Sequence, residues 1–176
     1  MTTSLSAEKI DAIRAALRDH PGEMTMQLAK RLDVAEAEVI RRLPDGRSVE
    51  LDIARWQELF TAFEAVGNVH VIVTNGAVTC ETVGEFGGFS VWEEFFNVQS
   101  KTLDMHIRYR NLGSAFAVEK PSHMDAGRTL SIQFFDLAGN AAMKVFLNFA
   151  GKPKPERVKA FEELRAKFNL ATDEHR

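Results

Sequence analysis

The chain lacks any apolar run close to the roughly 20 residues needed to cross a bilayer, so membrane insertion is not expected. Its opening stretch, MTTSLSAEKIDAIRAAL, has its hydrophobicity broken by Glu8, Lys9 and Asp11 and does not read as a secretory signal, which leads to an expected cytoplasmic location. Cysteine is almost missing. Cys80 alone rules out an intramolecular disulfide and a cysteine-based metal site, suits a reducing compartment, and reads as a buried strand residue. There is no basic surplus either: 22 Lys and Arg against 25 Asp and Glu give a net charge of −3, which leaves no electrostatic footprint for nucleic acid. Neither phosphate-loop spacing, G-x-x-x-x-G-K-[ST] or G-x-G-x-x-G, is present, nor is a nucleophile motif. Glu93 and Glu94 are adjacent, so in a strand they point to opposite faces and make a poor catalytic pair.

What is present is ordinary for a globular domain: 45% apolar and 27% charged residues over 176 positions, enough for one core, without repeats or low-complexity segments. Ile10, Ile13, Ala16 and Leu17 space a first helix over Ala7 to His20, closed by Pro21-Gly22. A second helix follows Thr25, and a third follows Asp33, with Glu36 three residues on as in a capping box; Pro44-Asp45-Gly46 ends it. A fourth, opened by Asp52, places Ile53, Trp56, Leu59, Phe60 and Phe63 on one stripe suited to packing on a sheet.

From Gly67 the period changes to two. Strands are expected near 69–74, 78–83, 95–99, 103–110, 114–120, 129–136 and 142–148, with short connections that make the sheet mostly antiparallel. Pro155 then opens a last amphipathic helix bearing Val158, Phe161, Leu164 and Phe168. The expected class is α+β: an N-terminal helical cap, a large antiparallel sheet, and a C-terminal helix packed on it. The chain reads as a single domain over 1–176, with a helical segment at 1–46 and the helix, sheet and last helix at 47–176.

The strand Leu103 to Arg110 carries the most chemistry. Strict alternation puts Leu103, Met105, Ile107 and Tyr109 on one face and Asp104, His106, Arg108 and Arg110 on the other. A neutral imidazole is a common iron ligand, and a guanidinium binds a carboxylate at two points, so this face suits an anionic metal macrocycle. A solvated strand face with no such role fits the same spacing. His70 shares a face with Ile72 and Thr74 and lies either beside His106 or elsewhere; a structural role is its plainer account. His20 and His175 read as exposed, and His123 as a loop residue. The segment Gly84 to Phe96 gathers five aromatic rings near glycines; Phe95 and Phe96 are candidates for stacking on a flat ring, and strand aromatics also serve as core. The rhythm of TMQLAKRLDVAEAEVIRRL is that of a helix-turn-helix, but Glu36 and Glu38 stand where anionic DNA would lie, so a helical cap is the better account.

Several segments, taken in order, resemble one family. They are Leu43-Pro44, Gly67-Asn68-Val69, Phe96-Asn97-Val98, Met105-His106-Ile107, Ser131 to Asp136 with Gly139, and Lys144 to Leu147. This order and spacing is similar to the HutX/ChuX intracellular haem-utilisation proteins over roughly residues 25 to 165. The stretches AFAVEKP and LSIQFFDLAGNAAMKVF are also similar to part of the repeat in the larger HemS/HmuS haem proteins. The resemblance implies a saddle-shaped antiparallel sheet, a homodimer arranged like the tandem halves of the larger proteins, and haem (iron protoporphyrin IX) held at the sheet. The histidine of the family's Gly-His-Ile strand falls on His106, which is thereby implied as the axial ligand, with Arg108 beside it. A histidine that some members carry late in the first strand falls on Thr74, and a tyrosine that others carry before Phe-Asn falls on Phe95. His70, four residues before Thr74 and on its face, would supply the second ligand if the haem sat a little further along, a reading that the resemblance itself does not imply; the alternative is one protein ligand with water or an open position opposite. The function implied is a cytosolic haem carrier or buffer, with a haem importer or a haem-degrading protein as partner. The alternatives are a haem-degrading, oxygenase-like enzyme and a helix-turn-helix DNA-binding regulator.

Overall fold

The first three helices form where apolar residues recur every three or four positions. A computed structural model describes residues 5–121, 127–147 and 152–173; His123 and His175 lie outside them. Helix α1 (Ala7–Asp19) is capped by Ser6, whose hydroxyl accepts from Lys9 N–H. Helices α2 (Thr25–Leu32) and α3 (Glu36–Ile40) join it around Ile13, Leu17, Leu28 and Val39, a small core of their own. Ala37 and Ile40 turn the other way and pack on Phe116, Val118 and Phe135 of the sheet.

Strand β1 (Ser48–Leu51) comes next, followed by a 3-10 turn capped by Asp52 and helix α4 (Trp56–Ala62). Beyond Gly67 come β2 (Asn68–Thr74), β3 (Thr79–Glu85), β4 (Phe89–Trp92), β5 (Phe95–Gln99), β6 (Asp104–Arg108), β7 (Leu112–Pro121), β8 (Arg128–Asp136) and β9 (Ala141–Phe146). Helices α5 (Pro155–Lys167) and α6 (Leu170–Asp173) follow. A six-stranded sheet has the order β1-β7-β8-β9-β2-β3, and a three-stranded sheet the order β4-β5-β6. Every strand pair is antiparallel, so the class is α+β as expected. No helix among the described residues is long and apolar enough to cross a membrane.

The main core lies between one face of the large sheet and everything laid on it. Val71, Ala117, Ile132 and Val145 form a cross-strand row covered by Leu59 and Phe60 of α4, Phe161 and Leu164 of α5, and Phe96, Val98 and Ile107 of the small sheet. Phe60 joins three layers: its ring centroid lies 5.4 Å from that of Phe96 and 5.0 Å from that of Phe134. Burying each such ring is worth about 1.5–3 kcal/mol.

The turn between β8 and β9 docks α3. Gly139, at φ 82°, offers its carbonyl to Ala37 N–H at 3.0 Å, and a Cβ there would come within 2.8 Å of Ala35 Cβ.

Five expectations are corrected. Asp33 does not cap α3: it closes α2 at φ 53°, and α3 starts after Ala35 with no side-chain cap. Residues 48–51, where the pattern predicts no strand, form one, and Phe89 to Trp92, expected to lie between strands, form a strand as well. The strand expected to run to residue 110 stops at Arg108 in a 3-10 turn over Tyr109–Asn111, so Arg110 leaves the face of His106. Cys80 is exposed, because β3 is an edge strand.

Candidate functional site

The hairpin of β5 and β6, with β4 beside it, builds the site by cross-strand pairing. One row of the outward face holds Trp92, Phe95 and Arg108; the next holds Ser90, Asn97 and His106. The inward face holds Phe96, Val98 and Ile107, all buried. That alternation separates two residues the sequence offered together. Phe95 shares the face of His106, whereas Phe96 is 1% exposed among Trp56, Phe60 and Phe89 and is a core residue, not a ligand contact.

The His106 side chain is 57% exposed, and its ring is held from below. Nδ1 lies 2.7 Å from Asn97 Oδ1, and the Asn97 amide, itself buried, donates from Nδ2 to Ser90 Oγ at 3.1 Å. Nε2 points away from this pair and stands 3.8 Å from Asp104 Oδ1, too far for a hydrogen bond. The edge of Phe95 meets the imidazole with centroids 6.2 Å apart, and the Arg108 guanidinium lies over the Phe95 ring at 5.0 Å, with Glu94 at 3.5 Å. Along the free edge of β6 runs a cleft of about 260 Å³, where Val73, Met105, Leu112 and Met143 adjoin His106 and Arg108. The face therefore offers an imidazole nitrogen, a guanidinium and flat rings to a planar anionic ligand.

His70 is not brought to this place. It occupies the opposite face of β2 from Val73, with Nε2 2.9 Å from Glu81 Oε2 and its ring beside Phe146. On that opposite face, below the N-terminal end of α2, lies a second cleft of about 370 Å³. Met24, Met26, Ile72 and Phe146 line it together with Lys120 and Lys144. Burial, followed by repulsion from Lys144, pushes the Lys120 ammonium below its usual range. The buried Gln133 Oε1 in the same lining has no hydrogen-bond partner among the described residues.

The helices that read like a DNA-binding pair are used differently. Helix α3 buries Glu36, Ala37, Val39 and Ile40, while Arg41 and Arg42 are held by Glu50 and Glu38. Sequence reasoning missed Asn97 and Ser90 as members of the site and offered Trp92 only as one of five rings. Alternation along 95–99 does place Asn97 with Phe95, but only the hairpin register sets it against His106.

The sequence profile of the haem utilisation ChuX/HutX family matches residues 49–164. The chain belongs to that family. Among solved structures it is similar to protein AGR_C_4470 of Agrobacterium tumefaciens, at 25% identity over 96% of this chain and 99% of that one, with a TM-score of 0.78. It is similar to the haem-binding protein ChuX at 25% identity, over 88% of this chain and 97% of that one, with a TM-score of 0.77. It also shares the fold of holo-PhuS, a haem-binding protein of Pseudomonas aeruginosa, at 24% identity over 94% of this chain and 46% of that one, with a TM-score of 0.76. No curated protein sequence matches it. The matched ChuX/HutX segment includes all of the small sheet and both clefts except Met24, Thr25 and Met26.

Proposed function

We propose that this ChuX/HutX protein is a haem carrier or buffer of the cytoplasm, with His106 as the axial ligand of the iron. Haem is its ligand class by family. The observation that carries the residue assignment is the imidazole itself: more than half exposed, anchored through Nδ1, with Nε2 outward on the same face as Arg108. A guanidinium there suits a propionate, and Phe95 and Trp92 supply flat apolar surface. When bound, the iron of the macrocycle supplies the acceptor for one imidazole nitrogen.

The cleft at His106, about 260 Å³, is smaller than the roughly 300–1,000 Å³ of drug-sized ligand sites, so one copy covers only part of a porphyrin. The other cleft has apolar lining and two lysines but stands on the opposite face of the large sheet. A homodimer in which His106 of one copy faces the second cleft of the other would join ligand, slot and the Lys120 side chain. The match to 46% of PhuS leaves length in that chain for a second unit of this size, which supports such pairing. A single neutral ligand on an open face suits a protein that accepts haem from an importer and passes it to a haem-degrading protein.

The test is a haem titration of the wild type, His106→Ala and His70→Ala. The wild type gives a Soret band that His106→Ala shifts or abolishes; an unaltered band in that variant removes His106 from the site. Incubation of the complex with ascorbate and catalase leaves the band stable in a carrier, whereas growth of biliverdin absorbance would mark an enzyme.

A further inference from the structure

We propose that Asn97 is the positioning residue of this site: it holds His106 in the Nδ1–H tautomer, so that the Nε2 lone pair faces outward. The inference rests on His106 being the iron ligand, and it explains what prepares that ligand before anything binds.

A neutral imidazole carries one N–H, and whichever nitrogen bears it cannot coordinate a metal. Two neighbours compete for that proton. Asp104 lies beside Nε2, but at 3.8 Å it makes no hydrogen bond, and its side chain is 71% exposed, so water screens it. Asn97 Oδ1 lies 2.7 Å from Nδ1 in a setting where Asn97 is 5% exposed. A buried acceptor left without a donor costs about 1–3 kcal/mol, which favours the proton on Nδ1.

The other end of the amide is hydrogen-bonded too. Nδ2 donates to Ser90 Oγ at 3.1 Å, and Ser90, Asn97 and His106 are successive partners in one cross-strand row. The sheet therefore sets the spacing of the relay, and an amide turned the other way would present N–H to Nδ1 and force the proton onto Nε2. Asn97 is also a neutral acceptor. It orients the ring without the extra electron donation that a carboxylate partner gives a metal-bound imidazole. A ligand held this way is prepared for iron but not made a stronger donor.

The first measurement needs no haem. Long-range ¹H–¹⁵N correlation of labelled, haem-free protein, above the pH where histidine titrates, is expected to show His106 protonated at Nδ1. Asn97→Asp keeps this tautomer because both of its oxygens accept. Asn97→Leu loses it, and Ser90→Ala, at an exposed position, yields a mixture as the amide turns. An Nε2–H tautomer in the wild type, or an Asn97→Leu spectrum like the wild type, overturns the proposal. Should Asn97→Leu fail to fold, an unmixed wild-type tautomer in Ser90→Ala overturns the relay.

With haem, Asn97→Leu is expected to bind about 10- to 100-fold more weakly, the usual effect of removing a partner of a metal-bound histidine. Asn97→Asp is expected to bind at least as tightly as wild type and to lower the Fe(III)/Fe(II) potential, a shift that a merely structural role would not produce. The two failures are distinguishable. A Soret band untouched by His106→Ala defeats the ligand assignment, whereas equal affinity in Asn97→Leu and wild type, where His106→Ala does lose haem, defeats the positioning role alone.

Discussion

Lys144 Nζ of β9 donates to Glu36 Oε1 of α3 at 2.6 Å, and the same oxygen accepts from Thr25 Oγ1 of α2 at 2.7 Å. Glu36 is 5% exposed, so this carboxylate fastens the helical cap to the sheet from within a largely desolvated contact. Removing one member of such a pair strands the other charge. Glu36→Gln is expected to cost about 3 kcal/mol in urea unfolding, whereas Glu36→Leu with Lys144→Met returns to within about 1 kcal/mol of wild type.

The β8–β9 turn has equally little room. Gly139→Ala combines a left-handed backbone with a clash against Ala35, and is expected to destabilise by more than about 1 kcal/mol. Because Gly139 holds Ala37, hydrogen exchange in α1 to α3 should accelerate more than exchange in the core strands.

Lys120 gives a pH dependence. Its ammonium is lowered by burial first and by Lys144 second, so the unfolded chain binds this proton more tightly than the folded one. Stability from this group therefore rises with pH between the folded value and the unfolded value of about 10.4, and its full cost is present below that window. Lys120→Met is expected to stabilise the protein at pH 7, with the advantage shrinking towards pH 10. Denaturation at both pH values checks the sign, and an advantage that grows with pH would contradict it.

Arg108 tests the polar side of the proposed haem face. Its guanidinium is 56% exposed and shared with Glu94 at 3.5 Å, so Arg108→Gln is expected to weaken haem binding by about 1 kcal/mol, near fivefold. Glu94→Gln, which frees the guanidinium, should strengthen binding, and both effects should fade in high salt.

A site shared between two copies, as proposed, would make affinity depend on protein concentration. Haem binding should weaken when the chain is diluted below its dimer dissociation constant, as followed by titration beside sedimentation. An affinity constant across that range would show that each copy binds alone.

Much of the fold is legible locally. The apolar spacing of Ile13 and Leu17, the stop at Pro21-Gly22 and the cap at Asp52 act within one or two turns of chain, and the structure keeps all three. β1 is not legible, because Ser48 to Leu51 become a strand only by pairing with Ala115 to Val118, more than sixty residues on. Cys80 misled for a similar reason: whether a strand lies at an edge depends on the order of the sheet, not on its own residues.

The site divides the same way. Alternation along β6 exposed His106 and Arg108 as a pair, but Asn97 and Trp92 belong to them through the hairpin register. Phe95 and Phe96, neighbours in sequence, part company because successive strand residues face opposite ways. The second cleft had no sequence signal, since α2, β2, β8 and β9 meet there only after folding.

The turn that closes β5 onto β6 decides which residues stand on the proposed haem face. Ser100 N–H donates to Leu103 carbonyl at 2.8 Å, and the Leu103 side chain, 1% exposed, is sunk in the core. A slip of one residue would turn His106 inward and present Met105 and Ile107 instead, converting an imidazole face into a greasy one. Leu103 thus acts as the zero mark of a ruler for the whole strand. A single inserted residue between Ser100 and Leu103 would silence the proposed haem face while every residue of it was still encoded.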